Sequence, residues 1–134
     1  MPLVIDASVT LVWALADEDE ALAELALERV RDEGAFVPTL WWYEIRNALI
    51  VAERKRGLAT DGSTNFLKQL AILAITPSLT LRDGDVFSLA RLNRLTFYDA
   101  SYLALAQKLK LPLATLDSDL IRAARREKIP LLTA

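Results

Sequence analysis

Short apolar runs alternate with helical patterns along the whole of this chain. The apolar runs are Leu3–Ile5, Ala35–Val37, Ala74–Thr76 and Leu113–Leu116, and a last short run lies near Leu131. Strands that are separated by helices in this way pair in parallel, because each crossover returns the chain to the same end of the sheet. The alternation therefore predicts an α/β fold with a central, mostly parallel sheet of about four to five strands flanked by helices.

The segments between these runs carry the apolar spacing and the boundary residues of helices. Gly34 and Gly57 are predicted to end two of the helices. The predicted helices are Ser8–Ala16, Asp19–Arg31, Leu40–Arg56, a helix capped by Asp61 or Ser63 that runs to about Leu73, a helix opened by Asp83 or Asp85 that runs to Leu95, Asp99–Leu109 and Ser118–Glu127.

The chain contains no histidine and no cysteine among its 134 residues. This absence excludes Ser-His and Cys-His nucleophiles, histidine-driven ribonucleases, and zinc sites built on His or Cys. Any catalysis near neutral pH must then use carboxylates, Lys, Tyr, hydroxyl groups or a metal-bound water.

Length and composition set further bounds. An apolar content of 53% over this length is sufficient for one folded domain that spans residues 1–134. The apolar runs are too short to cross a bilayer and the N-terminus lacks a secretory signal pattern, so we expect a cytoplasmic protein without membrane association. The formal net charge of −2 is not typical of a nucleic-acid-binding protein, so contact with RNA or DNA requires a local basic patch or bound metal ions.

Four carboxylates lie at the ends of apolar stretches, where apolar residues would be expected. They are Asp6, Glu44, Asp99 and Asp117. A carboxylate beside a buried strand is costly unless it is paired, caps a helix or binds a metal. Asp6 and Asp117 follow predicted strands, and the carboxyl ends of parallel strands form the ligand crevice of such sheets. Together the acids indicate a divalent-cation site, and their mutual repulsion should raise some of their pKa values.

Glu44 is the acid with the fewest structural explanations. Its neighbours on the predicted helix are the apolar residues Leu40, Trp41, Ala48 and Val51, which we expect to face the core. A solvated Glu would not belong on that stripe. Asn47, which follows Glu44 by about one turn, is either a residue that orients a carboxylate through a hydrogen bond or an ordinary surface residue.

The other acids also have purely structural interpretations. Asp6 and Asp117 can cap the helices that follow them. Asp99 stands three residues after Thr96, which is the spacing of a capping box. The sequence by itself leaves both interpretations of these acids open.

Three further polar residues lie next to the acids. Asp119 is either a first-turn acid favoured by the helix dipole or an additional ligand. Ser8 and Thr115 are each two residues from an acid. They either hold a carboxylate, a water or a phosphate oxygen, or they are ordinary hydroxyl groups of a cap and a strand.

Aromatic and basic residues are the remaining candidates for contact with nucleic acid. We expect Trp41, Trp42 and Tyr43 to pack in the core rather than to stack on bases. The basic residues lie mostly late in helices, where a solvated face is the usual interpretation. They form three groups: Arg54, Lys55 and Arg56; Arg91 and Arg94; and Arg122, Arg125, Arg126 and Lys128.

Four segments carry the four acids in order along the chain. They are Val4-Ile-Asp-Ala-Ser8, Pro38-Thr-Leu-Trp-Trp-Tyr-Glu-Ile-Arg-Asn-Ala-Leu49, Leu95-Thr-Phe-Tyr-Asp-Ala-Ser-Tyr-Leu-Ala-Leu-Ala106 and Leu113-Ala-Thr-Leu-Asp-Ser-Asp-Leu120. These segments resemble the four motifs of the PIN-domain ribonucleases of the VapC toxin type. Each motif alone is weak, but four in register over essentially the whole chain make a specific signal.

The resemblance implies a Rossmann-like, three-layer PIN fold and a metal-dependent endoribonuclease that hydrolyses RNA with metal-activated water. It implies that one or two Mg²⁺ or Mn²⁺ ions are bound by Asp6, Glu44, Asp99 and Asp117. Ser8, Asn47, Thr115 and Asp119 would be the supporting residues. It also implies a cytoplasmic homodimer that is inhibited by a cognate VapB-type antitoxin, whose C-terminal segment lies across the cleft.

Three alternatives remain at this point. The first is a PIN-type nuclease that acts in RNA processing or on structured DNA, outside any toxin pair. The second is a metal-dependent phosphotransferase or phosphatase with Asp6 as nucleophile, although Ser8 stands where such enzymes have a second Asp. The third is a non-catalytic binding module in which the acids are caps, against which the apolar surroundings of Glu44 argue.

Overall fold

Four parallel strands form the central sheet. The computed structural model describes residues 1–15 and 20–134. In chain order the strands are β1 (Leu3–Ile5), β2 (Ala35–Pro38), β3 (Ile75–Ser78) and β4 (Leu113–Ala114). Their order across the sheet is β3-β2-β1-β4, and every pair of neighbours is parallel. The predicted α/β fold with a parallel central sheet is confirmed.

Seven helices flank this sheet in the described residues. They are α1 (Ala7–Ala14), α2 (Ala21–Glu33), α3 (Leu40–Lys55), α4 (Thr60–Ile72), α5 (Asp83–Asn93), α6 (Phe97–Leu109) and α7 (Ser118–Arg126). Each predicted helix corresponds to one of them, while Ala16 and Asp19, which were predicted helix ends, lie outside the described residues. Among the helices that are described, none is long and apolar enough to cross a membrane.

The boundaries differ from the predictions where a different residue begins a helix. Neither Asp61 nor Ser63 caps α4, which begins at Thr60 after Ala59 without a side-chain cap. Helix α6 begins at Phe97 rather than at Asp99, because Thr96 occupies the N-cap position. The last predicted strand, near Leu131, is reduced to a single parallel bridge with Leu113.

The sheet register places β1 between β2 and β4. Leu3 and Val4 pair with Ala35 and Phe36 of β2, and Val4 and Ile5 pair with Leu113 and Ala114 of β4. All three residues of β1 are fully buried. The residue that follows β1 is Asp6, and the carboxyl end of β4 lies beside it in register. The structure therefore brings the segments after β1 and β4 to one edge of the sheet.

Helix α6 is the most deeply buried helix, since its seven consecutive residues from 100 to 106 are all buried. It packs against β1, β2 and β4, and it also contacts α5 and α7. A helix that is apolar on all sides is expected where it is enclosed by other elements. Because Asp99 lies in its first turn, the core position of α6 also locates that acid.

Gly34 connects α2 to β2 in a backbone conformation that only glycine adopts readily. Its φ of 82° and ψ of 179° lie in a region that excludes side chains. A Cβ atom there would also stand 2.9 Å from the carbonyl oxygen of Ala74 in the segment before β3. The close approach of two backbone segments therefore requires glycine at this position.

We predict that Gly34→Ala destabilises the protein by about 2 kcal/mol or more, because the new side chain meets both a forbidden dihedral region and a backbone oxygen. The measurement is the free energy of unfolding in denaturant. Gly84→Ala is the matched control, since Gly84 lies in the first turn of α5, where a Cβ atom would meet only open space. Equal stability of the two variants would contradict the argument.

Candidate active site

Asp6 lies where β1 ends and α1 begins, and it is only 4% exposed. Its Oδ1 accepts hydrogen bonds from the backbone N–H of Val9 at 3.1 Å and from Ser8 Oγ at 2.7 Å, and its Oδ2 accepts one from Thr115 Oγ1. Burial raises the pKa of Asp6 above its ordinary value of 3.8, because the loss of solvation outweighs these three hydrogen bonds. The nearby charge of Asp117 adds to the rise.

Ser8 and Thr115 join the ends of β1 and β4. Thr115 Oγ1 accepts a hydrogen bond from the N–H of Asp117 at 3.0 Å while it donates to Asp6. Ser8 Oγ accepts one from the N–H of Leu116 at 2.9 Å while it donates to the same carboxylate. The two hydroxyl groups therefore hold Asp6 and the segment before Asp117 together.

A chain of hydrogen bonds connects α3 to the same point. The indole Nε1 of Trp41 donates to Thr10 Oγ1 at 3.0 Å, and Thr10 Oγ1 donates to the carbonyl oxygen of Asp6 at 2.9 Å. Glu44 follows Trp41 on the same side of α3, since residues three apart are neighbours on a helix surface. Trp41 thereby sets the position of Glu44 relative to Asp6.

The apolar stripe predicted around Glu44 is partly wrong. The buried residues of α3 are Trp41, Ile45, Leu49 and Ala52. Val51 is 39% exposed, and Glu44 itself is half-buried at the border of the core. The true stripe is rotated from the predicted one, because the helix presents the face of Ile45 rather than that of Ala48 to the sheet.

Tyr102 is a member of this site that the sequence analysis did not single out. Its hydroxyl group donates to Glu44 Oε1 at 2.5 Å, and the side chain is 1% exposed. Burial and the contact with Glu44 raise the pKa of Tyr102 far above its ordinary value, so it stays a proton donor. The available signal was its position three residues after Asp99, which puts both on one side of α6.

The pKa of Glu44 is raised above its ordinary value of 4.5. Burial is the largest cause, the charges of Asp99 and Asp6 add to it, and the hydrogen bond from Tyr102 opposes it. Burial is also the largest cause of the raised pKa of Asp99, and the charges of Asp117 and Asp119 raise it further. The expected repulsion among the acids is therefore present, but loss of solvation is the larger effect.

Asp99 and Asp117 both lie at helix starts. The N–H of Asp99 donates to Thr96 Oγ1 at 3.1 Å, as the capping interpretation predicts. Asp117 caps α7, because its Oδ1 accepts hydrogen bonds from the N–H groups of Asp119 and Leu120 at 2.8 and 3.1 Å. These caps fix the two carboxylates at the end of the sheet where Asp6 lies.

Asp119 and Asn47 lie at the periphery of the site. Asp119 is exposed, and its Oδ1 is 3.4 Å from Arg122 Nη1. Asn47 is also exposed, and in the described residues no hydrogen bond joins its side chain to an acid. It lines a groove of about 390 Å³ together with Leu40, Tyr43, Glu44 and Tyr98.

The aromatic residues before Glu44 were only partly predicted. Trp41 is a core residue, as expected, with 6% exposure. Trp42 and Tyr43 were expected in the core but are 48% and 70% exposed. Arg46 lies over the ring of Trp42 at 3.8 Å from its centroid. The tryptophan side chain is thus packed against a cation at the surface rather than buried.

The four acids form one electrostatic site, because the charges of Asp6, Asp99 and Asp117 each raise the pKa of at least one other acid of the four, and the pKa of Glu44 is raised by two of them. Their donor set consists of carboxylate oxygens, which suits a hard divalent cation. Within residues 1–15 and 20–134, no three acids stand close enough together to hold one ion between them as they are placed. The residues therefore fit such an ion by chemistry and charge, and by their location at one end of the sheet.

Comparison with known proteins agrees with this arrangement. The family model described as PIN domain matches residues 3–126. The chain belongs to the PIN domain family. It is also 33% identical to Ribonuclease VapC3 of Pyrobaculum aerophilum, over 98% of each chain, which confirms the VapC-type resemblance.

A solved structure from the same organism as that relative supports the fold. The crystal structure of PAE2754 from Pyrobaculum aerophilum superposes with a TM-score of 0.66 over 92% of this chain and 84% of that chain. The two sequences are 23% identical. At this level of identity the match is one of fold, and it agrees with the parallel sheet and flanking helices of this PIN domain.

We predict that Asp6→Asn raises the melting temperature without divalent metal. The raised pKa of Asp6 means that its contribution to stability is complete below 3.8 and is lost as the pH rises through the raised value. Asparagine keeps an oxygen that can accept the hydrogen bond from Val9, and it removes the buried charge. Each pKa unit by which Asp6 is raised corresponds to about 1.4 kcal/mol of folding free energy.

The measurement is thermal unfolding in EDTA from acid to neutral pH. The gain in Asp6→Asn should be largest at neutral pH and disappear in acid. Asp83→Asn, at an exposed first-turn acid of α5, is the control. A lower melting temperature of Asp6→Asn at neutral pH would mean that capping by the ionised carboxylate is its main structural effect.

We also predict that Tyr102→Phe raises the pKa of Glu44 further, since it removes the hydrogen bond that opposes the effect of burial. The stability loss should be about 1 kcal/mol. The measurement is a carbon-13 NMR titration of the Glu44 carboxyl group in EDTA. Tyr98→Phe is the control, because Tyr98 is an exposed tyrosine of the same helix, and it should leave the titration of Glu44 unchanged. An unchanged titration in Tyr102→Phe would contradict the prediction, because the hydrogen bond to Glu44 would then have no influence on its pKa.

Proposed function

We propose that this chain is a divalent-metal-dependent endoribonuclease and the toxin of a toxin–antitoxin pair, acting as a single PIN domain over residues 1–134. The observation that carries the proposal is the group of four coupled acids at the carboxyl end of the sheet, three of them with raised pKa values. The VapC-type relative, which is named a ribonuclease, supports the choice of RNA as substrate.

Asp6, Asp99 and Asp117 would hold one or two Mg²⁺ or Mn²⁺ ions, directly or through water, and Glu44 would be a further ligand or would position the attacking water. When bound, such an ion lowers the pKa of water and stabilises the negative charge of the leaving oxygen. This chemistry suits a chain without histidine, which has no ordinary side chain to act as a base at neutral pH.

The other side chains hold these acids in place. Ser8 and Thr115 each donate a hydrogen bond to Asp6, so that its two oxygens keep one orientation. Tyr102 donates to Oε1 of Glu44, which leaves Oε2 to contact water at the edge of the groove. The raised pKa of Glu44 makes it a better proton acceptor than an ordinary carboxylate. Asn47 would orient a carboxylate, and Asp119 would be an additional ligand, both at the periphery of the site.

The phosphatase alternative is weakened by the surroundings of Asp6. Its oxygens already accept three hydrogen bonds, and the side chain is 4% exposed. A nucleophilic carboxylate needs one oxygen that can reach phosphorus. The binding-module alternative explains Asp6 and Asp117 as caps, but it does not explain Glu44, which lies inside α3 and is held by a buried tyrosine.

The proposed biological setting follows from the VapC-type relationship. The protein would be a cytoplasmic homodimer, and a cognate VapB-type antitoxin would inhibit it by covering the acidic cleft. The described surface has apolar side chains that a partner could cover next to that cleft, including Trp42 and Tyr43 of α3. A nuclease outside any toxin pair would have the same site, so the antitoxin is the distinguishing partner.

We predict that the purified protein cleaves RNA with Mg²⁺ or Mn²⁺ and not with EDTA, and that Asp99→Asn reduces the rate by about 100-fold or more, because it removes a charged ligand. The measurement is cleavage of a panel of fluorescently labelled RNAs. Asp83→Asn is the matched control, since Asp83 is also a first-turn acid but lies in α5. Cleavage that persists in EDTA, or an active Asp99→Asn, would overturn the proposed mechanism.

A further inference from the structure

The C-terminal end of α5 is held by arginines from α7. Arg122 Nη2 donates to the carbonyl oxygen of Asn93 at 3.0 Å, and Arg126 Nη1 donates to that of Leu92 at 2.8 Å. The last carbonyl groups of a helix have no partners within the helix, so these bonds satisfy them from outside. They also fix two guanidinium groups in position, which lowers the entropic cost of binding an anion there.

A cavity of about 220 Å³ opens beside these guanidinium groups. Its lining residues are Leu92, Asn93, Arg94, Arg122 and Arg126. Arg94 follows α5 in the left-handed conformation, with a φ of 54°, and its side chain is exposed. Three arginines thus face one small cavity, and no acid lines it among residues 1–15 and 20–134. We call this the arginine pocket.

Two acids that contact lining residues of the arginine pocket are already engaged there. Asp119 contacts Arg122, and Glu127 Oε2 accepts a hydrogen bond from Asn93 Nδ2 at 3.2 Å. Asn93 Nδ2 also donates to the carbonyl oxygen of Leu89 at 3.0 Å, so the amide fastens α7 to α5. The guanidinium fork binds phosphate through two parallel hydrogen bonds, which makes arginine the residue suited to this ligand.

Two arginines of the arginine pocket lie on the helix that Asp117 caps. Asp119, which contacts Arg122, also contributes to the raised pKa of Asp99. Arg122 and Arg126 lie on one face of α7, whose first residue follows Asp117. With a rise of 1.5 Å per residue they stand roughly 7.5 and 13.5 Å from Asp117 along the helix axis. A nucleic-acid strand at the acids would reach the pocket within a few nucleotides.

We propose that the arginine pocket binds a backbone phosphate of the RNA substrate near the bond that is cleaved. This inference rests on the proposed function. A chain with net charge −2 and a cluster of acids repels a polyanion, so it needs local positive charge to retain one. Arg94, Arg122 and Arg126 supply that charge, and hydrogen bonds hold the last two in fixed positions. The three arginines act as positioning residues for the substrate.

The experiment measures equilibrium binding of a fluorescein-labelled single-stranded RNA at several KCl concentrations. The protein carries Asp99→Asn throughout, so that the RNA stays intact. The pocket variants are Arg94→Asn, which suits the left-handed backbone, and Arg126→Gln. Arg125→Gln is the matched control, because Arg125 is an exposed neighbour on α7 that does not line the pocket. Melting temperatures establish that each variant is folded.

Each pocket variant should weaken RNA binding and reduce the slope of log affinity against log salt by about 0.7, the value for one phosphate contact on a single strand. Arg94→Lys should restore most of the slope, while Arg125→Gln should change little. Equal slopes for all variants would overturn the proposal. The proposal would also be overturned if the pocket variants bound poly-glutamate less tightly but bound RNA as tightly as before. The pocket would then serve an acidic protein partner.

The same variants separate this inference from the proposed function. If the protein without Asp99→Asn cleaves RNA but the slopes are equal, the pocket proposal fails and the nuclease proposal stands. If it binds RNA through the pocket but never cleaves with Mg²⁺ or Mn²⁺, the nuclease proposal fails and the pocket proposal stands.

Discussion

A buried carboxylate that joins two strand ends is the constraint on which this structure depends. Asp6 accepts hydrogen bonds from Ser8, Val9 and Thr115, which come from α1 and from the end of β4. Its backbone oxygen accepts another from Thr10, which Trp41 of α3 contacts in turn. An unpaired charge in this position would cost several kcal/mol, so the surrounding polar groups must be satisfied together.

Two of the acids of the candidate site also cap helices. Asp6 and Asp117 each cap a helix, and the positive end of the helix dipole favours their negative charge. Burial acts in the opposite direction and raises the pKa of Asp6. The cap therefore holds the carboxylate of Asp6 where burial disfavours its charge, and a bound cation would relieve the remaining cost. The structural interpretation of each acid thus explains how the candidate site is built.

The sequence predicts the strands and helices better than it predicts the contacts between them. Alternating apolar runs reveal the four strands, and chain order places Asp6 and Asp117 after two of them. Strand order and the orientation of α3 depend on packing, which is why Ile45 rather than Ala48 faces the core. Strand β4 is shorter than predicted because the N–H of Leu116 binds the Ser8 side chain instead of continuing the ladder. Tyr102 was missed because its role depends on Glu44, which lies 58 positions away.

The bond between Thr115 and Asp6 spans 109 positions, almost the whole chain. A ribosome makes Asp6 before Thr115, and segments made earlier can begin to fold during synthesis. A growing chain therefore carries Asp6, Glu44 and Asp99 without the strand that completes their surroundings. The acidic site can therefore assemble only after β4 has been synthesised, so a partial chain that ends before β4 lacks the hydrogen bond that holds the buried carboxylate of Asp6.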